Sequence, residues 1–165
     1  MTVPISTATA HQFDIRGLSQ AISHCHASDA LRCQFNTSHW EILARYLQPL
    51  TLNSGQVLIQ QGAPDRTLYF IESGTLSAHY ADEKSRIRMA MVGPGTVLGE
   101  GSFFSHFARS ATVQANSSCK LWCLTPMRFT ELANQHSALA LELSMSLGAV
   151  MAKRLYNRSK RVAVT

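Results

Sequence analysis

The chain has 165 residues, with 15 lysines and arginines against 10 aspartates and glutamates, and a formal net charge of +5 at pH 7. A hydrophobic content of 45% is typical of a globular domain and excludes an intrinsically disordered chain. No run of about 18 apolar residues occurs, so we expect no membrane-spanning helix. The first residues have neither the basic nor the apolar region of a secretory signal. We therefore expect a cytoplasmic protein, whose positive charge permits contact with nucleic acid without requiring it.

The N-terminal part of the chain is predicted to be a short tail followed by helices. Residues 1–12 are small and polar, which predicts a flexible tail, and we expect a single domain over 13–165. Helices are expected within 13–48. There Ser38, followed three residues later by Glu41, has the pattern of a capping box that opens a helix.

Short apolar runs separated by glycines and turn residues occupy 50–124. Runs with this regular spacing predict antiparallel strands that close into a small barrel or jelly roll. The fold that we expect is therefore α+β. It is an eight-stranded antiparallel β-barrel (jelly roll) flanked by the N-terminal helices and a long C-terminal helix.

The pattern becomes helical again over 126–162, and the longer helix is apolar on two faces. One stripe consists of Leu139, Leu143, Leu147 and Val150. The other consists of Ala138, Leu141, Met145, Gly148, Ala152 and Leu155. A helix with two apolar faces needs two partners, and one of them is the barrel. The other is either the same helix of a second chain, in a two-fold homodimer, or the N-terminal helices.

The stretch that begins at Gly99 combines residues that suit an anion with one that suits a hydroxyl group. Gly99 and Gly101 let the backbone approach a ligand closely, and free N–H groups from Gly101 to Phe103 would point toward a phosphate. Arg109 adds a permanent charge with a planar fork of donors. Glu100 has the wrong sign for a phosphate, but it accepts hydrogen bonds from a sugar hydroxyl. The combination indicates a ligand with both phosphate and ribose.

The order and spacing of these residues resemble the phosphate-binding cassette of the cyclic nucleotide-binding domains, in the superfamily of bacterial catabolite activators and oxygen regulators. The matching segments are Leu98-Gly99-Glu100, Ser102 and Arg109-Ser110-Ala111-Thr112-Val113. Residues 58–74 also resemble the first motif of the family, with Asp65 where a small residue is usual. The other departures from the family pattern are Gly101, Phe103 and Ala108. The resemblance covers most of the chain.

This resemblance implies a non-enzymatic sensor that binds a cyclic nucleotide and rearranges its terminal helices to regulate a protein partner. Cyclic AMP is the preferred ligand by analogy with bacterial members, and cyclic GMP and cyclic di-GMP remain alternatives. The implied ligand-binding residues are Gly99, Glu100, Gly101, Ser102, Phe103, Arg109, Ser110 and Ala111. In the catabolite activators a Thr-Ser pair on the central helix reaches the base, and Arg158 and Ser159 occupy those positions here. We expect no helix-turn-helix and no sequence-specific contact with nucleic acid.

A second interpretation rests on four cysteines, namely Cys25, Cys33, Cys119 and Cys123. Their number suits an iron–sulfur or other metal site, and some oxygen-sensing members of the same superfamily use such cysteines. Against this interpretation, no C-x-x-C motif occurs, and strand alternation places Cys119 and Cys123 in the core. We expect neither a bound metal nor a disulfide. The seven histidines are scattered and form no catalytic pattern, so no enzymatic activity is expected.

Overall fold

Five helices and eight strands make up the described part of the chain. The computed structural model describes residues 14–81 and 84–163, with side chains through Arg158, so the predicted tail 1–12 lies outside it. The elements are α1 (Ile15–Ser23), α2 (Thr37–Ala44), β1 (Gln48–Leu52), β2 (Val57–Ile59), β3 (Leu68–Ser73), β4 (Leu76–Ala81), β5 (Ile87–Val92), β6 (Val97–Leu98), α3 (Glu100–Ser105), β7 (Thr112–Ala115), β8 (Cys119–Leu124), α4 (Pro126–Gln135) and α5 (Ser137–Ala163). Among these helices none is long and apolar enough to cross a membrane.

The start of α2 differs from the sequence prediction. The Asn36 side chain accepts a hydrogen bond from the backbone N–H of His39 at 2.9 Å, and His39 Nδ1 accepts from the backbone N–H of Asn36 at 3.3 Å. Asparagine is a strong N-cap residue, and this reciprocal pair satisfies two donors at once. The capping box predicted at Ser38 and Glu41 is therefore wrong, and the helix begins at Thr37.

The strands form two separate four-stranded sheets. One has the order β1-β8-β3-β6 and the other the order β2-β7-β4-β5, and every described pair is antiparallel. The α+β class and the antiparallel pairing are confirmed. The prediction of a closed barrel is wrong, because among the described residues no strand of one sheet pairs with a strand of the other. The jelly-roll arrangement stays a prediction.

The sheet that contains β3 is the middle of three layers. Leu68 and Phe70 belong to a hydrophobic cluster shared with the helices, whereas the alternate residues Tyr69 and Ile71 belong to a cluster shared with the second sheet. The helix α5 contributes Leu139, Leu143, Leu147 and Val150 to the first cluster. The first of the two predicted apolar stripes of α5 is therefore buried.

The second predicted stripe of α5 is exposed. Leu141, Met145 and Leu155 each leave about two thirds of their surface open, at 64%, 67% and 68%. The described N-terminal helices, α1 and α2, therefore do not cover this face.

Candidate functional site

A cleft of about 200 Å³ opens between the two sheets beside α3. All the predicted ligand-binding residues except Phe103 line it, and the complete lining is Ile59, Ala78, Leu98, Gly99, Glu100, Gly101, Ser102, Arg109, Ser110, Ala111, Val113 and Arg154. The cleft thus has an apolar wall from the strands and a polar end from the cassette.

The backbone at Gly99 places the polar end of the cleft. Gly99 has a φ of +85°, in the left-handed region that favours glycine, and it precedes the first residue of α3. A Cβ atom at this position would collide with the guanidinium of Arg109 and with the carbonyl oxygen of Thr67. Only glycine therefore lets the chain turn into α3 and keep the arginine against it.

Arg109 is buried, with 2% of its side chain exposed, and its donors are only partly used. Nη2 donates to the Asp65 carboxylate and, at 2.6 Å, to the carbonyl oxygen of Thr67. Nη1 donates to the carbonyl oxygen of Gly99 at 3.3 Å. The Nε–H group is buried and has no hydrogen-bond partner in the part of the chain that the structure describes. A buried, charged donor without a partner marks a place where an acceptor is missing.

Asp65 pairs with Nη2 of Arg109, whereas Gly99 accepts from Nη1. Its carboxylate also accepts from the Thr67 hydroxyl at 2.8 Å and from the Thr67 backbone N–H at 3.3 Å. Burial acts to raise the pKa of the Asp65 carboxyl, but the hydrogen bonds from Arg109 and Thr67 outweigh it and leave that pKa below its ordinary value. Asp65 is therefore the charged counterpart of Arg109.

The side chain of Phe103 does not line the cleft, and the contact predicted for this residue is through its backbone N–H group. Its side chain is 4% exposed and packs edge-on against Phe104 and Phe129, with ring centroids 5.3 and 5.4 Å apart. Its backbone N–H donates to the Gly99 carbonyl oxygen at 3.0 Å, so this donor is used inside the helix. The first three N–H groups of α3 belong to Glu100, Gly101 and Ser102. N–H groups at this position have no carbonyl partner within a helix, and no side chain caps the start of α3.

Glu100 is held by a residue that the sequence analysis did not select. Arg154 of α5 forms an ion pair with Glu100 Oε1 at 2.6 Å from Nη1, and its Nε donates to Asp29 at 2.7 Å. Its Nη2 donates to the carbonyl oxygen of Val97 at 2.9 Å. Burial disfavours the charge on Arg154, but the carboxylates of Glu100 and Asp29 outweigh it and raise the pKa of the guanidinium. Arg154 thus joins the cleft, α5 and the loop between α1 and α2.

Of the two residues predicted to cover the base, only Arg158 has a described side chain. Arg158 is exposed and does not line the cleft, and the side chain of Ser159 lies outside the described residues. A signal in the sequence could have identified Arg154 instead. The buried stripe of α5 runs through Leu147 and Val150, and its next position is 154, where a charged residue needs a partner.

The four cysteines do not assemble a metal site. All four are free, and the described residues contain no group of three or more histidine, cysteine, aspartate or glutamate side chains placed to hold a metal ion. Burial raises the pKa of the Cys33 and Cys123 thiols to about 12, which disfavours the thiolate that binds metals. The iron–sulfur interpretation therefore has no support in this geometry.

Comparison with known proteins places this site in a family. The family model of the cyclic nucleotide-binding domain matches residues 49–136, which contain the whole cassette. A crystal structure of a cyclic nucleotide-binding domain from Methylobacillus flagellatus superimposes with a TM-score of 0.79 and 19% identity, over 90% of this chain and 82% of that one. That likeness concerns the fold.

Two curated relatives show the range of proteins that carry this domain. The cAMP-activated global transcriptional regulator CRP of Escherichia coli O6:H1 is 31% identical over 111 residues, 66% of this chain and 51% of CRP. Glutaminase 2 of Bradyrhizobium diazoefficiens is 29% identical over 133 residues, 81% of this chain and 21% of that enzyme. The chain thus spans about half or less of these relatives, and the enzyme's name describes a much longer protein. The family model and the cassette geometry agree: this chain belongs to the cyclic nucleotide-binding domain family.

Proposed function

We propose that the cleft binds a cyclic nucleotide, with cyclic AMP as the preferred ligand, and that the chain acts as a sensor without catalysis. The observation that carries this proposal is the buried Nε–H group of Arg109, which has no partner among the described residues although its guanidinium lines the cleft. Leaving such a donor unpaired is unfavourable. A phosphate oxygen supplies both the acceptor and the negative charge that suit it.

The ribose is assigned to Glu100, which lines the same cleft with its side chain 15% exposed. A carboxylate has two oxygens and about four acceptor positions, so Glu100 accepts a ribose hydroxyl while Oε1 stays paired with Arg154. The base is assigned to the apolar wall, where Ile59 and Val113 offer surface, with Ser110 as a polar contact. Arg158 is also proposed to contact the base, which requires α5 to move toward the cleft, because Arg158 does not line it.

The signal is assigned to α5, because Arg154 connects it to the residue that holds the ribose. A ligand that hydrogen-bonds Glu100 changes the surroundings of Arg154 and therefore the position of the last turns of α5. A protein partner would read this change. The same helix is proposed as the contact between two copies of the chain, because Leu141, Met145, Gly148, Ala152 and Leu155 recur at alternating steps of four and three residues. That spacing gives the seam of a two-stranded coiled coil.

Titration calorimetry with cyclic AMP, cyclic GMP and cyclic di-GMP tests the ligand assignment. We expect micromolar binding of cyclic AMP and a loss of about 2–3 kcal/mol, or roughly 30- to 150-fold in affinity, in Arg109→Ala. Arg109→Lys keeps the charge but has fewer donors, so its affinity for cyclic AMP should lie between those of the wild type and Arg109→Ala. Arg32→Ala, an exposed arginine outside the cleft lining, is the matched control and should bind like the wild type. Binding of none of the nucleotides, or equal binding by Arg109→Ala, contradicts the proposal.

A ligand variant tests the ribose assignment separately. The wild type should prefer cyclic AMP over 2′-deoxy cyclic AMP, because only the former offers a 2′-hydroxyl to Glu100. Glu100→Gln should reduce that preference by about five- to tenfold, because the amide oxygen still accepts a hydrogen bond but lacks the charge, a difference of about 1–1.4 kcal/mol. An unchanged preference in Glu100→Gln would place the ribose elsewhere.

A further inference from the structure

The arginine at the anion end of the cleft is paired with a carboxylate that does not itself line the cleft. Asp65 forms an ion pair with Nη2 of Arg109, and 51% of its side chain is exposed, against 2% for the arginine. It is held in place by the Thr67 hydroxyl at 2.8 Å. Asp65 lies in the connection between β2 and β3, so it belongs to neither strand.

The positive charges at the cleft are offset by paired carboxylates, and Asp65 is one of them. Two guanidiniums line the cleft, those of Arg109 and Arg154. They are paired with three carboxylates, those of Asp65, Glu100 and Asp29, of which only Glu100 lines the cleft. A further cation, Arg66, does not line the cleft. It donates to the carbonyl oxygens of Ser102 and Phe103 at 3.2 and 2.7 Å, near the C-terminal end of α3. The cleft therefore has little net positive charge to offer an anion.

We propose that Asp65 determines specificity: its carboxylate limits the anion end of the cleft to a single negative charge. A cyclic phosphodiester carries one charge and is accepted, whereas the terminal phosphate of a nucleoside monophosphate carries nearly two at neutral pH and is rejected. This inference rests on the proposed function, because it concerns the same phosphate position beside Arg109.

The expected size of the effect follows from the distance between the two anions. A carboxylate on Nη2 and a phosphate on Nε of one guanidinium are taken to lie roughly 6 Å apart, and their repulsion at effective dielectric constants of about 40 to 80 lowers affinity by about three- to tenfold for each charge of the ligand. A monophosphate feels this repulsion twice. The removal of the Asp65 charge should therefore tighten cyclic AMP about three- to tenfold and AMP about ten- to 100-fold.

A competition assay measures both affinities under the same conditions. Cyclic AMP or AMP displaces a fluorescent cyclic AMP analogue at pH 8 and low salt. The variant is Asp65→Asn, which keeps the size of the side chain and an oxygen that accepts from Thr67 while it removes the charge. The matched control is Glu131→Gln, which removes the charge of a half-exposed carboxylate that is paired with Arg128 on α4, away from the cleft. We expect the ratio of the AMP and cyclic AMP dissociation constants to fall about three- to tenfold in Asp65→Asn and to stay unchanged in Glu131→Gln.

The outcomes separate this inference from the proposed function. An unchanged ratio in Asp65→Asn, or weaker binding of both ligands, overturns it, because Asp65 then only positions Arg109. A fall of the same size in Glu131→Gln overturns it as well, since net charge alone would explain the ratio. If the wild type and Asp65→Asn bind no cyclic nucleotide in calorimetry, the proposed function fails and this inference falls with it.

Discussion

Replacement of Arg154 tests how firmly the cleft is tied to α5. Arg154→Met keeps the apolar part of the side chain and removes three hydrogen bonds, those to Glu100 at 2.6 Å, to Asp29 at 2.7 Å and to the Val97 carbonyl at 2.9 Å. It also leaves two carboxylates without their cation, with side chains 15% and 25% exposed. We therefore expect a loss of stability as well as a looser helix.

The magnitude lies between two limits. Breaking a fully buried ion pair costs about 3–5 kcal/mol, and an exposed pair contributes less than about 1 kcal/mol. Because these groups are partly solvated, we expect Arg154→Met to lower the free energy of unfolding by about 2 kcal/mol. For a chain of 165 residues this corresponds to a melting temperature lower by about 4–8 °C.

Far-ultraviolet circular dichroism gives the melting temperature, and hydrogen exchange of the amides in the C-terminal half of α5 reports the looser helix. Arg16→Met is the control, because Arg16 is 80% exposed and pairs only with its neighbour Asp14 among the residues described. It should melt like the wild type. If Arg154→Met melts at the wild-type temperature and its α5 amides stay protected, the network around Arg154 does not hold the helix and our assignment of the signal to α5 is refuted.

Three further predictions concern the core, the ion pair at the cleft and the exposed face of α5. Phe103→Ala should lower the free energy of unfolding, measured by urea denaturation, by about 3–5 kcal/mol. Phe107→Ala, at a side chain that is 77% exposed, should change it by less than about 0.5 kcal/mol. Equal effects of the two substitutions would contradict the buried position of Phe103. Since the folded protein lowers the pKa of Asp65, its ionised form stabilises the fold fully above pH 3.8, the ordinary value, and this contribution is lost as the pH falls through the lower folded value. The stability difference between the wild type and Asp65→Asn should therefore shrink below pH 3.8, and a constant difference would argue against the ion pair. We expect the wild type to be a dimer in light scattering and Met145→Glu to be a monomer. Met127→Glu, at an equally exposed methionine of α4, should leave the mass unchanged. A monomeric wild type would refute the proposed contact.

The cassette was predictable from sequence because its chemistry is local. Gly99, Glu100 and Arg109 lie within eleven consecutive residues, and each belongs to a residue type with a narrow range of uses, namely a left-handed turn, an acceptor and a fixed cation. The regular spacing of the strands was readable for the same reason. The separation into two sheets was not, since it depends on which strands pair across distances of up to about 70 residues, as β1 and β8 do.

The partners of the site residues could not be found in this way. Arg154 lies 54 residues from Glu100 along the chain, and Asp65 lies 44 residues from Arg109, so neither pair leaves a local pattern. Phe103 shows the opposite problem. Its place in the motif predicts a phosphate contact through its backbone N–H group. That group donates to the carbonyl oxygen of Gly99, while the aromatic side chain packs against Phe129.

The three-layer arrangement also has a consequence for how the protein unfolds. Strands β3 and β8 contribute residues to both hydrophobic clusters, with Phe70 and Trp122 on the helical side and Ile71 and Leu121 on the side of the second sheet. Neither cluster can lose these strands without exposing the other, so the helices and the second sheet should melt as one cooperative unit. A residue buried on one face of the middle sheet therefore contributes to the integrity of the cleft on its other face, without touching it.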